Sequence, residues 1–142
     1  MPADKAFFDT NVLVYAFSAR DPRQNTALDL LLAGGAIGVQ TLNEFVNVVT
    51  TKMKTPWPDA MIWVETVLEL CLPPVPLTIG VHRHGVRIAC AHGYHIYDSL
   101  MLAAALEASC TVFYSEDLHD GQVIENLAIR NPFGRRSRHK RG

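Results

Sequence analysis

The sequence lacks the features on which membrane, secreted and disulfide-bonded proteins depend. Its longest uncharged apolar stretch, residues 30–43, contains three glycines and falls short of the roughly 18 residues of a membrane span. The chain reaches Asp4 without a basic segment followed by an apolar one, so no secretory signal is visible. Three widely spaced cysteines, Cys71, Cys90 and Cys110, form no CxxC pair and indicate buried free thiols. We therefore predict a cytoplasmic protein with no membrane association.

Length and composition fit one folded domain, but its charges are unevenly distributed. With 142 residues, 49% of them hydrophobic and 19% charged, the chain has material for a single core. Five of the last eight residues are Lys or Arg, which leaves 8 basic and 14 acidic residues in 1–134. We predict a globular domain over 1–134 and a basic tail over 135–142 that is disordered in isolation. The acidic body would repel a polyanion unless a metal ion or a basic surface compensated.

Short apolar segments alternate with helical patterns along the chain. The predicted strands cover residues 6–9, 36–40, 75–77, 111–114 and 127–130. The predicted helices cover residues 12–17, 21–33, a stretch from Thr41 onward, 59–70, 78–92 and 96–109. The strands are apolar throughout rather than at every second residue, which is typical of a parallel sheet covered on both faces. The alternation of strands and helices predicts an α/β fold.

Four acidic residues fall where such a sheet has its functional edge. Asp9 closes the first strand, and Asp117 follows the strand over 111–114 by three residues. Glu44 and Asp98 lie in the first turns of two predicted helices. Because a right-handed crossover brings the start of Asp98's helix to the carboxyl ends of the strands, we expect the four acids to converge. Close carboxylates oppose one another's ionisation, and Mg²⁺ or Mn²⁺ would relieve that repulsion.

Each of these acids also has a structural interpretation. Glu44 stands three residues after Thr41, the spacing of a capping box, so its side chain could satisfy a backbone amide at the helix start. Asp98 could complement a helix dipole, and Asp117 could stabilise its own turn. Asp9 is harder to explain in this way, because it ends a strand that we expect to be buried, where an unpaired carboxylate is costly.

Other groupings give rival interpretations. Cys90, His92 and His95 could offer three ligands to a transition metal, but no fourth ligand follows at a standard spacing. A Rossmann-like nucleotide binder is disfavoured, because the first turn reads Asp-Thr-Asn instead of a glycine-rich phosphate loop. His119 lies beside Asp117 and could touch a substrate, although an exposed loop histidine is the simpler interpretation. A non-catalytic RNA-binding or assembly module, whose acids are structural, stays open.

Four segments stand in a characteristic order along the chain. They are FFDTNVLVY from Phe7, QTLNEF from Gln40, IYDSLMLAAA from Ile96 and YSEDL from Tyr114. Together they resemble PIN-domain nucleases, and most of all the VapC-type ribonuclease toxins of type II toxin-antitoxin systems. The closing segments DGQ from Asp120 and NPF from Asn131 are similar to the end of that family's domain, so the resemblance spans residues 6–133.

The resemblance implies a three-layer α/β/α sandwich with a central parallel sheet, an acidic Mg²⁺ or Mn²⁺ site and endonucleolytic cleavage of RNA. It also implies a homodimer and neutralisation by a small antitoxin protein. The family's acidic positions map onto Asp9, Glu44, Asp98 and Asp117. Asn11 and Ser115 match polar residues that orient the carboxylates or a metal-bound water. The family's last acidic position varies, so Asp120 or Glu116 could replace or assist Asp117.

The mechanistic hypothesis that follows divides the acids by role. Asp9, Asp98 and Asp117 hold Mg²⁺ directly or through water, while Glu44 binds a second ion or orients the attacking water. The ion would lower the pKa of a water and neutralise the scissile phosphate, which explains how an acidic site accepts RNA.

Two further parts of the chain could bind partners. The basic tail could contact RNA phosphates, although eight residues without an aromatic side chain carry little specificity. Large side chains in the helices after the second strand could form a groove for an antitoxin helix or pack in the core. These are Phe45, Val49, Trp57 and Trp63.

Overall fold

A mixed sheet organises the chain. In the computed structural model, which describes residues 4–134, its strands are β1 (Ala6–Phe8), β2 (Val112–Tyr114), β3 (Val123–Ile124) and β4 (Leu127–Arg130). The order across the sheet is β1-β2-β4-β3. β1, β2 and β4 run parallel, and β3 pairs antiparallel with β4. The predicted parallel sheet is confirmed, whereas the antiparallel edge strand β3 is not predicted by the sequence pattern.

The helices within the described residues largely follow the predicted pattern. They are α1 (Thr10–Ala16), α2 (Gln24–Ala33), α3 (Val39–Thr51), α4 (Trp57–Leu70), α5 (Ile79–His92) and α6 (Ile96–Glu107). Thr78 caps α5 by accepting a hydrogen bond from a first-turn amide at 3.1 Å, and Gly93 ends it with φ 75°, as predicted. α2 begins three residues later than predicted, because the Asp21 carboxylate accepts a hydrogen bond from the Arg23 amide and holds a turn.

The predicted strands over 36–40 and 75–77 are wrong in extent. Ala36 pairs with Phe7, and Gly38 pairs with Val75, only as isolated parallel bridges. Residues 39 and 40 already belong to α3, because Gly38 is its N-cap and donates its amide hydrogen to Thr41 Oγ1 at 3.1 Å. The helix therefore begins two residues before Thr41 and takes over the second half of the predicted strand.

The two faces of the sheet are covered by different helices. Phe7 and Phe8 are neighbours in β1, so their side chains point to opposite faces, and both are fully buried. Phe7 stacks on Phe113 of β2 with ring centroids 5.5 Å apart, and it packs with apolar residues of α5 and α6. Phe8 packs with apolar residues of α1, α2, α3 and α4. This arrangement is the three-layer α/β/α sandwich that the resemblance implies.

α5 and α6 approach each other closely at a glycine. A side chain at Gly85 would place its first carbon 2.8 Å from Leu100 Cδ2 and 3.2 Å from Leu100 Cα. Because the second of these atoms belongs to the backbone of α6, the contact cannot be relieved by a side-chain rotation. Glycine at residue 85 therefore permits the close packing of α6 against α5. This packing bears on the site because the first turn of α6 contains Asp98.

The cysteines differ from one another in exposure. Cys71 and Cys110 are buried, as predicted, but Cys90 is exposed, so the prediction of three buried thiols is wrong there. The buried positions of α5 recur at four- and three-residue steps from Val81, and residue 90 falls outside that stripe.

The last described residues fold back onto α1. The ring of Phe133 packs edge-on against Tyr15, with centroids 5.2 Å apart. The predicted basic tail, residues 135–142, lies outside the described residues, so the boundary after residue 134 stays a prediction. Between residues 4 and 134, no helix combines the length and apolar character needed to cross a membrane.

Candidate metal centre

Asp9 is a buried carboxylate at the carboxyl end of β1. It is the N-cap of α1 and is only 4% exposed. One carboxylate oxygen accepts the Thr10 amide hydrogen at 2.6 Å, and the other accepts the Ser115 hydroxyl at 2.7 Å. Burial raises the pKa of Asp9 to about 7; the hydrogen bond from Ser115 opposes that rise, and the charges of Asp98 and Asp117 add to it.

The loop after β2 brings Ser115 and Asp117 to this edge. Ser115 is fully buried, and its Oγ accepts hydrogen bonds from the amides of Asp117 and Leu118, each at 3.2 Å. The same hydroxyl donates to Asp9, so one side chain ties the loop to the end of β1. The Asn11 side-chain amide in α1 donates to the Asp117 carboxylate. Asn11 therefore donates to one of the two carboxylates and Ser115 to the other.

Asp98 and Glu44 approach from two helices. Asp98 lies in the first turn of α6, as predicted; burial raises its pKa, the charge of His95 lowers it and that of Asp117 raises it. Burial also raises the pKa of Glu44, which the charge of Asp98 raises further and that of His95 lowers. Electrostatic interactions thus link Asp9 and Asp98 with each other and with Asp117, and they link Glu44 with Asp98.

The capping-box interpretation of Glu44 is wrong. α3 begins at Val39, so Glu44 lies beyond its first turn and cannot reach back to the helix start. Its carboxylate instead accepts a hydrogen bond from the Gln40 side chain at 3.1 Å. Glu44 is therefore half-buried on the side of α3 that faces Asp98, with no capping role to explain it.

The donor set fits a hard divalent cation. Among residues 4–134, no Lys or Arg forms an ion pair with Asp9, Glu44 or Asp98. No three of the described His, Cys, Asp and Glu side chains already stand as the ligands of one ion. Mg²⁺ takes one or two carboxylates and keeps several waters, so it does not need three preformed side-chain ligands. Carboxylates that are buried or half-buried, repel one another and have no Lys or Arg partner among the described residues match that chemistry.

The two acids considered as substitutes for Asp117 make other contacts. The Glu116 carboxylate accepts hydrogen bonds from the Tyr15 hydroxyl at 2.6 Å and from Arg23 Nη1 at 2.8 Å. Asp120 is exposed and accepts the amide hydrogen of Asn131 at 2.9 Å, which holds the turn after β4. Both acids therefore have structural partners of their own.

The rival transition-metal grouping does not form within the described residues. Cys90 is exposed, and no set of three ligands includes it, His92 or His95. His95 is instead the N-cap of α6, where its Nδ1 accepts the Tyr97 amide hydrogen at 3.2 Å. His119 is exposed on its loop, as the simpler interpretation predicts.

Sequence reasoning missed three residues next to the acids. His95 acts electrostatically on Glu44 and Asp98, which is not visible from its place in a Cys/His cluster. Arg23 and Tyr15 enclose Glu116, and the Arg23 guanidinium also lies 3.7 Å from the centre of the Tyr15 ring. Arg23 and Glu116 are 93 residues apart in sequence, so no local pattern could have paired them.

Comparison with known proteins gives a consistent result. The profile of the PIN domain family matches residues 6–120, more than half of the chain. A search of curated proteins gave no match.

Solved structures similar to this fold come from several bacteria. A toxin-antitoxin complex from Klebsiella pneumoniae aligns with TM-score 0.68 and 21% identity, covering 90% of this chain and 98% of its own. VapC20 of Mycobacterium tuberculosis, described as a Sarcin-Ricin loop cleaving toxin, aligns with TM-score 0.66 and 15% identity, covering 80% of this chain and 92% of its own. DNA-bound VapBC from Salmonella typhimurium aligns with TM-score 0.65 and 17% identity, covering 92% and 99%. At these identities the likeness establishes the fold.

Proposed function

Because this chain belongs to the PIN domain family, we propose that it is a metal-dependent endoribonuclease and the toxin of a toxin-antitoxin pair. The observation that carries the proposal is the buried carboxylate of Asp9, whose pKa is raised by the charges of Asp98 and Asp117 as well as by burial, and whose donors within residues 4–134 are both neutral. Such a group is expensive to keep ionised unless a cation binds beside it.

The side chains divide into those that would hold the ion and those that hold the ligands. Asp9, Asp98 and Asp117 would bind Mg²⁺ or Mn²⁺, and Glu44 would bind a second ion or orient the attacking water. When bound, the ion supplies Lewis-acid chemistry and neutralises phosphate charge. Ser115 holds the Asp9 carboxylate and also the backbone that carries Asp117. These residues thus present oxygen donors in a fixed orientation before substrate arrives.

The structural neighbours include a toxin-antitoxin complex, which supports an antitoxin protein as the partner. A groove of about 480 Å³ between α3 and α4 is lined by Val46, Trp57 and Met61. Trp57 is 61% exposed, whereas Phe45 and Val49 are fully buried. We propose that an apolar antitoxin helix covers this groove, with Trp57 as the aromatic contact.

We also propose that the protein is a homodimer that acts in the cytoplasm. Light scattering coupled to size-exclusion chromatography tests the oligomeric state, and a monomer at all concentrations would contradict it.

Cleavage of a labelled RNA tests the proposed activity. We expect wild-type protein to cut the RNA with Mg²⁺ and to stop when EDTA is added, and Asp98→Asn to be inactive under both conditions. Asp29→Asn serves as the matched control, because Asp29 is an exposed acid on α2. Equal cleavage by all samples would reject the proposal.

A further inference from the structure

Aromatic rings surround the turn that joins α5 to α6. His95 and Tyr97 are tilted against each other with ring centroids 5.1 Å apart, and His92 and Tyr94 stack at 6.5 Å. Tyr97 is 52% exposed, and the side chain of His95 is exposed as well. The following stretch of α6, residues 99–105, is entirely buried. The exposed rings are thus confined to the start of a helix whose middle lies in the core.

These rings border the carboxylates of the candidate metal centre. Asp98 is the next residue after Tyr97 in the first turn of α6. The charge of His95 lowers the pKa values of Glu44 and Asp98, so the imidazole lies near both groups. Tyr94 lies on the other side of the turn, where burial and the charge of Asp98 raise its pKa.

A surface with two arginines continues from the rings along α5. The helix contains Arg83 and Arg87 and no acidic residue, in a body that is otherwise rich in acids. Arg87 and His92 line an open pocket of about 410 Å³ together with Glu125, whose carboxylate already lies 2.6 Å from His84 Nε2. Gln122 connects this pocket to the rings, because it accepts the Tyr94 hydroxyl and its amide contacts His92 Nδ1 at 3.3 Å.

We propose that His95 and Tyr97 stack on an unpaired base next to the phosphodiester that is cut, while Arg87 and His92 contact phosphates of the same strand. The inference rests on the proposed ribonuclease function and assigns the residues of this chain that contact the RNA strand beside the candidate metal centre. In a duplex, neighbouring base pairs cover both faces of a base, whereas an unpaired base offers a face to an aromatic ring. The basic side chains along α5 complement the phosphates that such a strand would carry past the acidic body.

Short fluorescent RNAs that contain an abasic residue at each position in turn test the stacking. In the wild type, an abasic residue at one position should lower kcat/KM roughly tenfold. Tyr97→Ala should lower kcat/KM for the intact RNA by roughly the same factor, mainly through KM, and the abasic residue should then cost nothing further. Tyr97→Phe keeps the ring and should retain the wild-type profile. Leu32→Ala is the matched control, because it removes a large exposed apolar side chain from α2, to which no binding role is assigned.

The outcomes separate this inference from the nuclease proposal. An unchanged kcat/KM and abasic profile in a folded Tyr97→Ala protein would overturn the inference, as would equal cleavage of the same strand annealed to its complement. Weaker antitoxin binding with unchanged RNA kinetics would also overturn it, because the rings would then belong to a protein contact.

A wild-type protein that cuts no RNA would instead reject the nuclease proposal. In that case the same RNAs report binding by fluorescence anisotropy in Mg²⁺. Binding that depends on Tyr97 and on one base supports the inference, whereas absent or Tyr97-independent binding overturns it. Thermal melting followed by circular dichroism confirms that each variant is folded.

Discussion

Two carboxylates at the same loop have different partners. Glu116 belongs to the loop after β2, and Asp9 accepts a hydrogen bond from Ser115 of that loop. Both carboxylates are largely hidden from solvent. Glu116 has a protein cation, because Arg23 Nη1 lies 2.8 Å from its carboxylate. Within residues 4–134, the donors to Asp9 are a hydroxyl and a backbone amide. Glu116 therefore has its countercharge within the fold, whereas no Lys or Arg of the described residues forms an ion pair with Asp9.

The partners of Glu116 are themselves fixed in their charged or neutral forms. The hydrogen bond with Asp21 raises the pKa of Arg23, so the guanidinium keeps its charge. Burial and the neighbouring Glu116 raise the pKa of Tyr15, so its hydroxyl keeps the proton that it donates. The cluster of Tyr15, Asp21, Arg23 and Glu116 therefore contains its own cation, which pairs with both of its carboxylates.

Removing the charge of Asp9 should produce the largest effect, and it tests whether this carboxylate serves catalysis, unlike Glu116. We expect Asp9→Asn to lower kcat/KM for RNA cleavage by at least roughly 1,000-fold, since the ion supplies several kcal/mol of transition-state stabilisation. The metal-free protein should be no less stable than the wild type, because the substitution relieves burial of a charge. RNA cleavage and thermal melting in EDTA measure the two effects. Near-normal cleavage by Asp9→Asn would contradict the assignment of this residue.

The pH dependence of the free energy of unfolding tests the burial of Asp9 without a protein cation. The pKa of Asp9 is raised in the folded protein from 3.8 to about 7, so the folded state binds the proton more tightly than the unfolded state. Its stabilising contribution is therefore complete below about pH 4 and is lost as the pH rises through about 7, with a slope approaching about 1.4 kcal/mol per pH unit. Urea unfolding in EDTA between pH 5 and 7 should show that slope in the wild type and a flatter profile in Asp9→Asn. Parallel profiles would show that Asp9 does not titrate as described.

Breaking the ion pair of Glu116 should lower the free energy of unfolding and have no direct effect on catalysis. We expect Arg23→Gln to lower the free energy of unfolding by about 2 kcal/mol, because the carboxylate loses a charged donor while it stays mostly buried. The double variant Arg23→Gln with Glu116→Gln should recover part of the loss, since no buried charge is left behind. Urea unfolding of the single and double variants measures the coupling. Additive losses would indicate that the pair contributes nothing.

The smallest of these effects is expected at Ser115, which contacts both Asp9 and the backbone of its own loop. Ser115→Ala removes the donor to Asp9 and the acceptor for two loop amides. We expect roughly tenfold weaker Mg²⁺ binding, because the ligand loses its orientation and not its charge. Isothermal titration with Mg²⁺ tests this, with Ser18→Ala as the control, since the Ser18 hydroxyl donates to the Val14 carbonyl near the end of α1. Equal affinities would place Ser115 outside the metal centre.

Local patterns predicted the parts of the site that depend on the ends of elements. Asp9 ends an apolar strand, and Asp98 opens the most apolar helix, so both positions follow from hydrophobic periodicity and chain connectivity. The sequence pattern predicts the start of α3 two residues too late. Gly38 caps the helix, while Ala36, two residues earlier, still pairs with Phe7 of β1. That competition between pairing and helix formation is decided by tertiary contacts.

Long-range contacts could not be predicted in the same way. The strand β3 has two residues, and its turn places Glu125 at φ 56° with no glycine to mark it. The nearness of His95 to Glu44 joins residues from α3 and the start of α6, which only the assembled sheet brings together. The Arg23 and Glu116 pair has the same origin.

The close approach of α5 and α6 at Gly85 has a genetic consequence. Any L-residue larger than glycine there would push against the backbone of Leu100 and shift the helix that presents Asp98. If cells expressing the proposed toxin are selected for survival, inactive alleles should therefore appear at codon 85 as well as at the acidic codons, although residue 85 itself carries no chemistry.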